Sequence, residues 1–141
     1  GVGIVEVFEV TATGTAHLVN ISTRGFVGDG DDVLIGGLII SGDRPKTIAV
    51  TGRGPSLAAF GVPNTLDDPQ LSLYDQAGNL LESNDSWQAT SRVNDIPAFV
   101  SLTDGREAVI VRTVEPGAYT AILSGVGGTS GTGIVEVFEV D

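Results

Sequence analysis

GTGIVEVFEV, at residues 131–140, alternates in the way a β-strand does. Val135 and Val137 share one face with Glu139, while Ile134, Phe138 and Val140 share the other with Glu136. Both faces are mostly apolar and each carries one carboxylate. A strand of this kind belongs inside a sheet covered on at least one side, or between two domains. The same peptide opens the chain as GVGIVEVFEV at residues 1–10, with Val2 against Thr132 the one mismatch. Ile4, Val5, Val7, Phe8 and Val10 therefore correspond to Ile134, Val135, Val137, Phe138 and Val140. Nine identities in ten at an offset of 130 residues exceed what a shared β pattern produces, so the segment was duplicated or the chain is a window on a tandem array. These ten apolar positions form the candidate assembly interface.

Outward from the repeat, almost everything reads as strand and turn. Residues 4–10, 15–22, 32–41, 46–52, 70–75, 80–83, 107–114, 118–125 and 133–140 are short β-branched or aliphatic runs bounded by Gly, Pro, Asn or Asp. The expected fold is all-β, an antiparallel β-sandwich or jelly roll of about nine strands with at most short helical turns. DQAGN at 75–79 and EPG at 115–117 are hairpin turns; in the second, Pro116 supplies φ near −65° and Gly117 admits positive φ. Two stretches depart from the pattern. Residues 55–60 suit one helical turn, and residues 87–99 read as a long crossover without periodicity.

A length of 141 residues makes one domain able to bury most of its apolar surface without staples. The chain has no cysteine, which sets aside disulfides, zinc thiolates and a thiol nucleophile. Seven Lys and Arg against 18 Asp and Glu leave a net charge of −11. That field repels nucleic acid and anionic membrane surfaces and attracts divalent cations. The longest apolar stretch, residues 33–40, is interrupted by Gly36 and Gly37 and is far short of a membrane helix. Without methionine even at position 1, the chain is expected to be processed or internal to something longer. The acidic, Gly- and Thr-rich composition with few lysines fits an extracellular or cell-surface protein.

Three kinds of chemistry bear on these residues. A serine hydrolase would need His17, the lone histidine, and GPSLA at 54–58 falls short of G-x-S-x-G in its last position. Ser56 reads instead as a turn or helix cap, and no catalytic or cofactor-binding set is expected. The Gly-rich loop at 125–131 has neither a lysine nor a following helix to hold a phosphate. Oxygen ligands are the remaining feature: Asp29, Asp31 and Asp32 lie within four residues, and Asp75, Asn84 and Asp85 bracket the LLES strand and would converge across its hairpin. They are candidate calcium ligands, because calcium takes six to eight oxygens from such groups. Trp87 reads as a plug at one end of the sandwich.

LSLYDQAGNLLESNDSW at 71–87, EPGAYTAILSG at 115–125 and VEVFEVD at 135–141 resemble bacterial pre-peptidase C-terminal domains, β-sandwich modules appended to secreted proteases and adhesins. STRGFVG at 22–28, VLIGGLII at 33–40 and GPSLAAFGVP at 54–63 resemble an uncharacterised tandem repeat of very large secreted bacterial proteins. Together the resemblances cover nearly the whole chain and imply a fold and a location more than an activity.

Residues 1–10 then read as a strand equivalent to the end of a preceding repeat, and residues 11–141 as the β-sandwich repeat unit. The expected role is a structural repeat or subunit of an extracellular bacterial filament, surface fibre or giant surface protein. Its partners are copies of the same domain, met head to tail through a shared terminal strand. The alternative is a calcium-stabilised adhesin or a carbohydrate- or matrix-binding module, with a glycan or matrix ligand.

Overall fold

The computed structural model describes residues 2–9 and 18–140. Eight strands follow one another: β1 (Asn20–Val27), β2 (Leu34–Ile40), β3 (Lys46–Arg53), β4 (Pro69–Asp75), β5 (Leu80–Asn84), β6 (Ala108–Val114), β7 (Gly117–Gly125) and β8 (Gly131–Glu139). They form two four-stranded sheets, β1-β8-β3-β6 and β2-β7-β4-β5. Every pairing of neighbours is antiparallel. Short 3-10 turns, the longest at Pro55–Phe60, are the only helices among the described residues. The all-β sandwich expected from the sequence is the fold observed.

Seven of the nine expected runs match strands closely, and two differ. Residues 4–9 carry no regular secondary structure, and position 10 lies outside the described residues. Of the strand expected at 15–22, positions 15–17 lie outside the described residues, and the strand observed there is Asn20–Val27. It is an edge strand with solvent on one face, and Thr23 and Gly25 on its other face leave no apolar alternation to mark it.

Alternation assigns the faces. Ile48 and Val50 on β3, Ala108, Ile110 and Val114 on β6, and Val135 and Val137 on β8 meet Leu71 and Leu73 of β4 and Ala121 and Leu123 of β7 in the space between the sheets. Glycines set how closely the layers approach. A Cβ at Gly52 would stand 2.7 Å from Leu123 Cδ1, and one at Gly133 would stand 2.8 Å from its Cδ2, so Leu123 seats between two bare backbones. Likewise Gly36 leaves room for Val135, whose Cγ1 would be 2.9 Å from an added Cβ. Interiors are packed too densely to absorb such atoms without shifting neighbours.

A second, smaller core lies on the outer face of the first sheet. Ala49, Val109 and Val111 are buried there beneath Trp87, Ile96, Leu102 and Phe138. The crossover between β5 and β6 lies over them, and this explains why β3 and β6 are apolar in consecutive positions: strands buried on both faces lose their alternation. Trp87 is pinned by Nε1–H donating to the Asp104 carbonyl at 3.0 Å. It therefore plugs this outer core and not the end of the sandwich.

Candidate functional site

β8 is the strand on which both cores depend. It lies between β1, with Asn20 opposite Phe138 and Val27 opposite Gly131, and β3, with Ala49 opposite Phe138 and Arg53 opposite Ile134. Beyond those pairings, Leu66 donates to the Thr132 carbonyl and Thr132 to that of Asn64 at one end. At the other end Glu139 donates to the Val19 carbonyl and Val140 to that of Thr47. Because β8 is antiparallel to β1, the chain enters β1 and leaves β8 at the same pole of the sandwich.

Each side chain of β8 has a defined receptor. Val135 and Val137 enter the inter-sheet core. Phe138 stacks at a tilt on Phe99, with ring centroids 5.3 Å apart. Glu136 accepts a hydrogen bond from the Thr51 hydroxyl at 2.9 Å, and its Oε2 is 2.8 Å from Arg53 Nε, an ion pair in which both side chains are about four-fifths buried. Arg53 is held in turn by its Nη1 donating to the Ser101 carbonyl. Glu139 pairs with Lys46. The two carboxylates, one per face, are thus met by one cation each, and a shift of one residue would turn the valine face outward and bring Glu136 into the core.

The other copy of this peptide is in the opposite situation. Residues 2–9 are exposed throughout, with Ile4 at 82% and Phe8 at 68% of full exposure. Nothing lies within 4 Å of where a Cβ on Gly3 would stand. Its glycine has no steric reason where it is, yet position 133 demands one. The sole mismatch, Val2 against Thr132, falls on an outer-face position beside the edge-strand residue Phe26. Among the described residues, a hydrogen bond ties the exposed segment to the approach to β1: Leu18 N–H donates to Glu9 Oε2 at 3.1 Å. Of the ten assembly positions, Val10 lies outside the described residues, as does His17.

The candidate calcium ligands are placed in three separate regions. Asp29, Asp31 and Asp32 lie in the β1–β2 turn, where Asp29 Oδ1 accepts the Gly30 amide. Asp75 is consumed by its own hairpin, accepting from the Ala77 and Asn79 amides and from Asn79 Nδ2. Those bonds, led by the Asn79 side chain, hold its carboxyl below the usual range. Asn84 sits opposite Leu71, four residues along β4 from Asp75, which is about 13 Å of strand. Its amide is used at both ends, donating to the Ser86 carbonyl and accepting from the Val109 amide. The hairpin thus keeps Asp75 apart from Asn84 and Asp85, correcting the expected convergence. No three acidic or histidine side chains cluster as a metal site among the described residues.

Three groups went unnoticed in the sequence. Asp104 takes a bidentate guanidinium from Arg106, chiefly responsible for a carboxyl lowered to about 2, and Arg106 also reaches Asp67. Glu107 is fully buried and its Oε1 accepts the Ser56 amide, capping the Pro55–Phe60 turn. The Arg53 receptor for Glu136 was also missed, because a lone arginine after a strand carries no signal until its neighbours are known.

No protein-family model matches the chain, and no curated protein matches it significantly. Among solved structures it is similar to the pre-peptidase C-terminal domain of a collagenase from Bacillus anthracis, at 13% identity and a TM-score of 0.51 over 84% of this chain and 89% of that one. The likeness bears out the resemblance read from the hairpins, and what it establishes is the fold. Among the described residues no helix is long and apolar enough to cross a membrane.

Proposed function

We propose that this domain is a structural repeat or subunit of an extracellular bacterial filament, surface fibre or giant surface protein, joined to copies of itself by sharing the GIVEVFEV strand. One observation carries the reading. The exposed segment 2–9 has the sequence of an internal strand, including a glycine, two carboxylates and a phenylalanine whose counterparts in β8 each have a receptor in the fold. An unpartnered strand with these properties suits β-strand addition to another copy. Extracellular placement is supported by the acidic, cysteine-free composition and by the fold shared with a domain of a bacterial collagenase.

Since β1 begins and β8 ends at one pole, copies joined this way meet through that pole. The link from position 10 to Asn20 spans about 35 Å at most. A heterologous contact that offers the same strand to the same slot repeats without closing and builds a fibre or a chain of beads.

The test is to image Phe8→Asp and Phe138→Asp chains by electron microscopy beside the unmodified protein. Phe8→Asp is expected to lose end-to-end assembly while remaining folded. Assembly unaltered in that variant would remove strand sharing.

A further inference from the structure

We infer that residues 2–9 are an alternative eighth strand for the very domain that carries them, able to replace β8 in cis between β1 and β3. The inference deepens the proposed strand sharing and rests on the same interchangeability of the two peptides.

Fit comes first. With residues 2–9 in place of residues 132–139, Gly3 takes the position where Leu123 tolerates no Cβ, and Val5 and Val7 take the core positions of Val135 and Val137. Glu6 meets Thr51 and Arg53, Glu9 meets Lys46, and Phe8 meets Phe99.

Direction comes next. The slot requires a strand antiparallel to both β1 and β3. A segment that precedes β1 and is joined to it by a short loop arrives in that direction as an ordinary hairpin. In the register of β8, Glu9 would stand opposite Val19, leaving nine residues to cross the roughly 4.8 Å between neighbouring strands, a distance they exceed several-fold. Glu9 already touches Leu18, one residue from that register. A tethered strand acts at a high effective concentration, roughly millimolar for a short flexible link, so the cis competitor outruns a second molecule in dilute solution.

The consequence is a two-state domain. With β8 in the slot, the first copy is free; with residues 2–9 in the slot, residues 131–140 are released with the same sequence but for Thr132 and become available to a neighbour. Either copy of the peptide can then act as donor.

Cysteine trapping tests this, because the chain has no cysteine of its own. Glu139 N–H donates to Val19 O, which makes the 19–139 pair a hydrogen-bonded one. The outer-face pairs of β1 and β8, including Arg24 with Ile134, are then of the non-hydrogen-bonded kind, whose side chains lie closest. Arg24→Cys with Ile4→Cys is oxidised mildly and run on non-reducing gels beside Arg24→Cys with Ile134→Cys, which reports β8 in place. Phe26→Cys with Val2→Cys repeats the measurement in the same row, with Thr132→Cys as its control. Arg24→Cys with Val5→Cys is one residue out of register.

The expected result is a disulfide within single molecules for the Ile4 and Val2 pairs and none for the Val5 pair. Adding Phe138→Asp should speed closure of the Ile4 pair by more than about tenfold, because a charge disfavours β8 in its half-buried place. Closure only as dimers and ladders would overturn replacement in cis while leaving sharing between copies intact. No closure in either N-terminal pair while the controls close, or equal closure of the Val5 pair, would also overturn it. A closed monomer that never assembles would support the cis exchange and instead sink the proposed sharing between copies.

Discussion

Residues 2–9 and 132–139 spell the same peptide, apart from Val2 against Thr132, in two environments. Val135 and Val137 are buried to within 7% of completely, whereas Val5 and Val7 are exposed at 89% and 56%. Pattern and propensity are identical in both, so neither makes the one a strand and the other not. What differs is the receptor: one slot exists and β8 occupies it. Strand structure here is conferred by neighbours on both sides and by a core on both faces, which is the general dependence of β-propensity on context.

The largest effect comes from damaging both copies. Val137→Asp alone is expected to cost little, because residues 2–9 take the slot, and Val7→Asp alone nothing measurable. The double variant should lose the folded state or most of its stability, since a buried carboxylate in place of valine costs several kcal/mol against a total of about 5–15 kcal/mol. Denaturant melts of the four proteins form a double-mutant cycle, in which the excess of the double over the summed singles measures the exchange. Additive effects, with Val137→Asp alone severe, would show that the two copies are not interchangeable.

A lesion in the wall of the slot cannot be rescued by a spare strand. Gly52→Ala places a Cβ 2.7 Å from Leu123 Cδ1 and within 3.7 Å of Ala108, whichever copy fills the slot. The expected loss is about 1–3 kcal/mol from overpacking. It should be the same in the full chain and in a chain lacking residues 1–10. A smaller loss in the full chain would mean that the two strands seat differently against β3.

The smallest effect, and one independent of both copies, is in acid. Asp75 and Asp104 have folded-state pKa values below the ordinary 3.8, Asp104 at about 2. Groups lowered in this way contribute stability above their unfolded value and lose it as pH falls through the folded one. Melting temperature should therefore drop between about pH 4 and pH 2, with a shallower slope in Asp104→Asn and no dependence on residues 1–10. An unchanged slope in Asp104→Asn would assign the acid sensitivity to other carboxylates.

Legibility followed burial. Residues 46–52, 107–114 and 118–125 announce themselves as β-branched runs because their strands are central, or are covered on both faces. β1 misled because Thr23 and Gly25 stand on its core side, and solvent on the other face permits Ser22, Arg24 and an exposed Phe26. The crossover at 87–99 looked patternless because its apolar residues, Trp87 and Ile96 among them, come singly from 3-10 turns and loops onto a sheet face, with no period to detect. The convergence expected of Asp75 with Asn84 failed for a reason of register: hairpin length sets their separation, and only the pairing reports it.

By itself the sequence determined the sandwich class, the turns and the duplication, because period, glycine placement and identity between segments are properties of order along one chain. Only the tertiary structure decided which copy is the strand, that Arg53 and Lys46 receive its two glutamates, and that β1 begins where β8 ends. Those are relations between residues some 80 to 120 positions apart, and two nearly identical peptides can be told apart only by what surrounds them.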